Sequence, residues 1–155
     1  MISAAVLAPT TLGIGWLLYA PVLLWAILRS PWVELFADRR RQHLLFGTVF
    51  ALFMLWLVRR DFDTGVSYHF IGMTAVTLLL DWPLAIVGGF AAQLGLLLLG
   101  RQDLAAVGIN GLLLIVLPVL VTETCALLVE RAGKTVAMAG NIGPALLDVL
   151  AERLA

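Results

Sequence analysis

Four polar side chains lie within the long apolar runs of this chain: His69, Gln93, Asn110 and Glu123. An imidazole binds a transition metal or transfers a proton, so His69 is a candidate ligand, although a histidine at a helix start is also a common interfacial residue. Gln93 and Asn110 line a polar pocket or form interhelical hydrogen bonds. Glu123 is expected near the inner membrane interface.

The other candidates for chemistry are weaker. His43 follows a run of arginines and is expected in solvent, on the membrane face opposite His69. Cys125 is expected as a small apolar residue. An enzyme needs a nucleophile beside a base, or a metal with several protein ligands, and the sequence offers neither. We therefore expect no catalytic activity and no tightly bound cofactor.

The composition places these residues in a membrane. Of the 155 residues, 62% are apolar and 13% charged, with a mean hydropathy of +1.03. Soluble domains carry about 25% charged residues, so this chain must face lipid. Ten basic and ten acidic residues give a net charge of zero, which leaves no basic surface for nucleic acid.

The apolar runs predict an all-α integral membrane protein, a compact bundle of about five transmembrane helices over residues 1–130. Pro118 predicts a kink in the last of them. The predicted helices are Leu12–Leu28, Leu44–Val58, Val66–Leu80, Leu84–Leu99 and Leu104–Val129.

Basic residues predict the orientation. Arginines and lysines cluster near Arg29, Arg39–Arg41 and Arg131, with fewer at Arg59, Arg60 and Arg101. Because the side richer in basic residues is usually cytoplasmic, we expect a multi-pass protein of the cell inner membrane with its N-terminus outside and its C-terminus inside. The uncharged segment Met1–Thr10 is then expected to fold back into an outward-facing pocket near His69, Gln93 and Asn110.

An ordered series of motifs carries a family resemblance. It runs Gly65-Val66-Ser67-Tyr68-His69-Phe70-Ile71-Gly72, Asp81-Trp82-Pro83-Leu84-Ala85, Gln93, Gly100-Arg101-Gln102-Asp103 and Ala106-Val107-Gly108-Ile109-Asn110. Over about Leu12–Val121 the chain resembles the CbiM/NikM-type proteins, the membrane-embedded substrate-capture subunits of energy-coupling-factor ABC transporters for cobalt and nickel.

The resemblance implies a site for transported Ni2+ or Co2+. The family's ligands are the N-terminal amine, the next backbone amide, a histidine at position two and a histidine matching His69. Here Met1, the Ile2 amide and His69 match, with Gln93 and Asn110 orienting His69 or closing the pocket. Ile2 replaces the second imidazole. Three alternatives follow: another group completes the site, a different ligand is captured, or metal binding has been lost.

The resemblance also implies partners: a transmembrane coupling subunit and ATPase subunits, with the lipid bilayer around them. The alternative is an accessory membrane protein of a transporter complex that binds no metal. Small residues four apart, such as Gly88 and Ala92, pack internally or dock a partner.

The C-terminal segment differs in character. Residues 131–155 are more polar and are expected to form a cytoplasmic tail, with Leu146, Leu147, Leu150 and Leu154 on one face of an amphipathic helix. The run Gly140-Asn141-Ile142-Gly143 resembles part of the nucleotide-binding domain of peptidoglycan-precursor amino-acid ligases. No G-x-x-x-x-G-K-[ST] loop precedes it, so ligase activity is not expected. A hybrid or truncated reading frame is the alternative explanation.

Overall fold

The computed structural model describes residues 1–133, without the side chains of Asp61 and Tyr68, and this part of the chain is an α-helical bundle. The helices are α1 Pro9–Arg29, α2 Trp32–Ala37, α3 Arg39–Leu57, α4 Met73–Leu98, α5 Leu104–Gly111 and α6 Leu117–Arg131. A π-helical turn, Leu112–Val116, joins α5 to α6. The predicted fold class is confirmed, while the predicted tail lies outside the described residues apart from 131–133.

By length and composition alone, three helices among the described residues could cross a membrane: Pro9–Arg29, Met73–Leu98 and Leu104–Arg131. The second of these is broken at Asp81, as described below. Their outer faces carry large apolar side chains such as Leu17, 72% exposed, and Leu98, 78% exposed. Such side chains are stable in lipid and unfavourable in water. The hydrophobic helix α3 has three arginines at its start, which lower its average hydropathy.

The third predicted helix, Val66–Leu80, was wrong at its start. Residues 58–72 precede α4 and contain two short antiparallel strands, β1 Arg60–Asp61 and β2 Ser67–Tyr68. Ile2 forms a further antiparallel bridge with Val66. Backbone pairing with the distant N-terminal segment therefore takes up residues that local hydropathy assigns to a helix, and His69 lies in the connection after β2.

The predicted third and fourth helices meet within α4. Asp81 interrupts it with φ 64° and ψ 160°, outside the helical region. A Cβ on Gly88 would lie 3.8 Å from Leu80 Cδ1, although eight positions along a straight helix span about 12 Å. The chain therefore reverses at Asp81, and the segments 73–80 and 82–98 pack side by side.

The predicted kink near Pro118 stays a prediction, and the structure shows a π-helical turn, Leu112–Val116, directly before the proline. Proline lacks a backbone donor and its ring crowds the preceding helical turn, and a wider turn relieves that conflict. After the π-helical turn, α6 continues without interruption from Leu117 to Arg131.

A close crossing of α1 and α5 sets the position of Asn110. A Cβ on Gly108 would lie 2.5 Å from the backbone nitrogen of Trp16, and one on Gly15 would lie 2.7 Å from that of Ile109. Only glycine permits this approach. It brings α5 against α1, directly below the N-terminal segment.

The core lies between these helices and includes polar groups. Gly88 packs against Leu45 and Val49 of α3, so its small size serves internal packing. The largest fully buried side chains are Trp56, Tyr19, Met73, Leu80, Leu84, Leu96, Ile115, Gln93, Val119, Asn110 and Thr77.

Candidate functional site

The N-terminal amine and the His69 imidazole lie together at one end of the bundle. The Met1 amino nitrogen is 3.2 Å from His69 Nε2 and donates to the carbonyl oxygen of Ser67 at 2.9 Å. Met1 is only 8% exposed, and Arg59 Nη1 donates to its sulfur at 3.4 Å. The prediction that the N-terminal segment folds back towards His69 is confirmed.

The hydrogen bonds of His69 indicate its tautomer. Nδ1 lies 3.1 Å from the carbonyl oxygen of Phe70, which only accepts, so Nδ1 carries the proton. Nε2 therefore presents its lone pair to the Met1 amine. A ring N–H held by a backbone carbonyl is the usual arrangement of a metal-binding histidine.

Burial favours the neutral form of this imidazole. It lowers the pKa of His69 below the usual value, and the charges of the N-terminal amine and Arg59 act in the same direction, while the bond to Phe70 opposes them. Because only the neutral ring can bind a metal through Nε2, these surroundings favour ligand binding at neutral pH.

Trp56 holds the His69 loop in place. Its indole is fully buried, and its Nε1 donates to the carbonyl oxygen of Ile71 at 2.9 Å. The ring meets the His69 ring edge-on, with centroids 5.9 Å apart. From hydropathy alone, a tryptophan at the end of a helix is expected to be an interfacial anchor. The sequence therefore did not predict that Trp56 supports the His69 loop.

The Asn110 carboxamide bonds to both the backbone N–H and the backbone carbonyl oxygen of Ile2. The Ile2 nitrogen donates to Asn110 Oδ1 at 2.8 Å, and Asn110 Nδ2 donates to the Ile2 carbonyl oxygen at 2.9 Å. Asn110 is 1% exposed and is positioned by the crossing of α1 and α5. Its partner is thus the Ile2 peptide rather than His69, and it fixes the register of the N-terminal segment.

Three further contacts anchor the same segment. Ser3 donates its backbone N–H to Gly65 at 2.9 Å, and Ser67 donates to the Met1 carbonyl oxygen at 2.8 Å. Asp103 Oδ2 accepts from the backbone nitrogen of Ala4 at 3.3 Å. Asp103 stands in the recognised series of motifs, but its partner in the N-terminal segment was not predicted.

Gln93 occupies a different position. Its Oε1 accepts from the hydroxyl of Tyr19 at 3.4 Å, and its Nε2 donates to the carbonyl oxygen of Val107 at 3.0 Å. These bonds join α1, α4 and α5 to one another. They support α5, the helix that carries Asn110. The expectation that Gln93 orients His69 stays a prediction.

A cavity of about 260 Å³ opens beside Met1 and Asn110, and its described lining includes neither His69 nor Gln93. Among the described residues, charged and polar residues line this cavity. They come from the N-terminal segment, the 58–72 connection and the loop between α4 and α5. The lining residues are Met1, Ile2, Ser3, Arg59, Phe62, Gly65, Ser67, Gly100, Arg101, Gln102, Asp103 and Asn110.

The other titratable candidates lie elsewhere. His43 is in the first turns of α3, whereas His69 follows that helix, so the two histidines are at opposite ends of α3. Glu123 and the exposed Cys125 lie on α6. Within residues 1–133, no three His, Cys, Asp or Glu residues form a group able to hold a metal ion. The predicted ligands Met1 and His69 are brought together by the structure, with the amine 3.2 Å from Nε2.

Comparison with known proteins identifies the family. The sequence profile described as "CbiM: Cobalt uptake substrate-specific transmembrane region" matches residues 2–152. The chain belongs to the CbiM family. This confirms the resemblance inferred from the motif series, and it makes the chain a membrane component of a cobalt-uptake family.

Short matches to a second group of proteins accompany the CbiM match. The UDP-N-acetylmuramoylalanine--D-glutamate ligase of Albidiferax ferrireducens is 54% identical over 52 residues, 34% of this chain and 9% of the ligase. The same enzyme of Burkholderia thailandensis is 64% identical over 33 residues, 21% of this chain and 6% of the ligase. The chain thus spans about a tenth or less of these ligases. No solved structure matches the chain.

Proposed function

We propose that this CbiM-family chain is the substrate-binding subunit of an energy-coupling-factor ABC transporter and captures Co2+ or Ni2+ through the Met1 amine and His69. The observation that carries the proposal is the 3.2 Å separation of the Met1 nitrogen from His69 Nε2. Nitrogen donors suit both ions. An ion bound to both nitrogens would take the place of the amine proton that now points at His69 Nε2, and that proton would be released to solvent.

The chain's own residues prepare this exchange. Burial lowers the pKa of His69 and so favours its neutral form, and the Phe70 carbonyl oxygen fixes which ring nitrogen faces the amine. Asn110 holds Ile2 so that the amine stays in register with His69. The Ile2 nitrogen is a donor to Asn110, so it becomes a ligand only after losing its proton and leaving that bond.

The proposal includes the remaining parts of the transporter. The chain performs no chemistry on its cargo and hydrolyses nothing; ATPase partners supply the energy, and a transmembrane coupling subunit docks on the bundle. The Met1 end, which carries Arg59, Arg60 and Arg101, faces outwards, and the end richer in arginine faces the cytoplasm. This arrangement exposes the capture site to incoming metal at the inner membrane.

One observation favours the alternative of an accessory protein that binds no metal. Position two is an isoleucine, and its backbone nitrogen is already engaged by Asn110. In the part of the chain that the structure describes, two nitrogen donors then face each other, fewer than the four that a square-planar ion takes. The alternative and the proposal differ in whether the purified chain binds metal at all.

Calorimetric titration of the detergent-purified protein with Co2+ and Ni2+ tests the proposal, after mass spectrometry has verified the N-terminus. We expect binding that is lost in His69→Ala and tightened in Ile2→His, which supplies an additional imidazole. His43→Ala is the matched control and keeps wild-type binding. If the wild-type protein binds neither ion and Ile2→His does, the accessory role is correct.

A further inference from the structure

An apolar groove runs along α3 on the side where the 73–80 segment packs against it. The groove encloses about 480 Å³ and extends between these two elements from His43 to Leu55. Gly72 lies at the Leu55 end, where an added Cβ would be 2.9 Å from Leu55 Cδ2. The described lining of the groove includes neither Met1 nor His69, so this groove is separate from the candidate metal site.

One row of α3 residues lines the groove and continues to a basic residue beyond it. His43, Gly47, Ala51 and Leu55 follow one another at intervals of four, as the ridges on a helix surface do. At Gly47, nothing lies within 4 Å of an added Cβ, so the glycine leaves open space. Arg39 precedes His43 by four residues and is its neighbour on the helix surface. The groove therefore has an apolar length and a cationic end.

Arg39 is exposed and forms no ion pair among the described residues. The carboxylates of Glu34 and Asp38 both pair with Arg41 instead, at 2.7 and 3.8 Å. Asp38 also accepts from the backbone nitrogen of Arg40 at 2.8 Å, as the N-cap of α3. The nearby acidic groups are thus engaged elsewhere, and the guanidinium of Arg39 is available to an anion at the end of the groove.

The dimensions of the groove fit a hydrocarbon chain better than a helix. From His43 to Leu55 the helix rises about 18 Å, slightly more than half of a bilayer's hydrocarbon core of about 30 Å. A volume of about 480 Å³ over that length gives a mean cross-section of about 27 Å², which is about 5 Å on a side. Packed carbon atoms lie about 4 Å apart, whereas a helix with its side chains is about 10 Å wide. An acyl chain therefore fits where a partner helix does not.

The surroundings of the groove face lipid. Phe46 and Phe50 of α3 are 67% and 61% exposed, and Leu78 of the 73–80 segment is 41% exposed. An empty groove between such residues loses the dispersion contacts of both walls. An acyl chain restores those contacts and brings no polar group that would need a partner inside the membrane.

We propose that this groove binds one anionic phospholipid, with an acyl chain between α3 and the 73–80 segment and the headgroup phosphate on Arg39. The guanidinium donates two hydrogen bonds to the phosphate oxygens, the geometry that an arginine offers to this group. Four arginines and two carboxylates in residues 29–43 add a net positive field at the same end of the bundle. The bound chain packs α3 against the 73–80 segment, and this role does not depend on metal capture.

Native mass spectrometry of the full-length chain in detergent tests the proposal with two lipids of equal acyl chains. Phosphatidylglycerol is anionic, and phosphatidylcholine carries no net charge. We expect one phosphatidylglycerol to be retained per chain and to bind about fivefold more tightly than phosphatidylcholine, the factor that one arginine contributes near an anionic lipid. Glycerol 3-phosphate, which has a phosphate but no acyl chain, should not displace the bound lipid.

Matched variants assign the lipid to the groove. Gly47→Leu fills the groove and should abolish retention of both lipids, whereas Gly13→Leu, at an equally open position of α1, should keep it. Leucine has a higher helix propensity than glycine, so both variants should fold, and Ala51→Leu repeats the test if Gly47→Leu does not. Arg39→Gln should lower the affinity ratio of the two lipids towards one. Arg29→Gln, which changes an exposed arginine at the end of α1, should keep the wild-type ratio.

Each contrary result overturns a named part of the proposal. Lipid retention that is unchanged in both Gly47→Leu and Ala51→Leu shows that the groove is not the site. An equal fall of the affinity ratio in Arg29→Gln and Arg39→Gln shows a general effect of surface charge and removes the role of Arg39. A wild-type dimer that separates in Gly47→Leu assigns the groove to a second copy of the chain, and the lipid inference is then wrong.

Discussion

Asn110→Leu tests whether the carboxamide on α5 keeps the N-terminal segment docked. The change removes two hydrogen bonds to Ile2, of 2.8 and 2.9 Å, and puts an apolar side chain of similar size in their place. At about 1 kcal/mol for each bond, the docked state loses about 2 kcal/mol. At tenfold for each 1.4 kcal/mol, undocking becomes about 30-fold more favourable.

Hydrogen–deuterium exchange of residues 1–8, with the protein in lipid nanodiscs, measures the undocking of the N-terminal segment directly. The Ile2 and Ser3 amides, which are bonded to Asn110 and Gly65, should exchange about 30-fold faster in the variant. Cobalt affinity should fall by up to the same factor, because only the docked segment presents the Met1 amine to His69.

Thr77→Val is the matched control for Asn110→Leu. Thr77 is also fully buried, and among residues 1–133 its hydroxyl bonds locally, to the Met73 carbonyl oxygen. Its loss should leave exchange in residues 1–8 unchanged. If Asn110→Leu has no greater effect on that exchange than Thr77→Val, Asn110 does not hold the segment, and the argument for its role fails.

Three further predictions concern the surroundings of the site. NMR of the imidazole during a pH titration of the metal-free protein should give His69 a pKa below 6.5. The ring is then neutral at neutral pH, and protonation blocks Nε2 only at lower pH. A pKa of 6.5 or above contradicts the effect of burial. Gly108→Ala should destabilise the protein by about 1–3 kcal/mol in thermal or denaturant unfolding, because the added Cβ meets backbone at 2.5 Å. Gly13→Ala, with nothing within 4 Å, should be neutral or stabilising, and equal costs would refute the close crossing. Trp56→Phe removes the bond to Ile71 and should lower stability by about 1–2 kcal/mol and weaken cobalt binding, whereas unchanged binding would show that Trp56 does not position His69.

The sequence predicts the helical bundle well because its apolar runs are long, and hydropathy is a local property. Pro9–Arg29 and Leu104–Arg131 lie within a few residues of their predicted bounds. The third helix begins at Met73 rather than Val66 because Ile2 pairs with Val66, and no local signal reports a partner so far along the chain.

For the site, too, the sequence predicted the residues better than their contacts. Motif order pointed to His69 and Asn110, and an apolar, uncharged N-terminal segment pointed to its docking. The partners within the site depend on tertiary packing: Asn110 holds Ile2, Trp56 supports His69, and Gln93 joins helices. Gln102 lies in a polar loop, and the packed structure shows that it is buried, with no hydrogen-bond partner for its amide among the described residues.

The claim that the Met1 amine and His69 bind one ion together is tested most directly by moving the amine. One added N-terminal glycine shifts it by about 3.8 Å and leaves every other group in place. Cobalt titration of the native and glycine-extended proteins, with both N-termini verified by mass spectrometry, should show binding to the native protein and an affinity at least about tenfold weaker for the extended one. Equal affinities would contradict a site built on this amine.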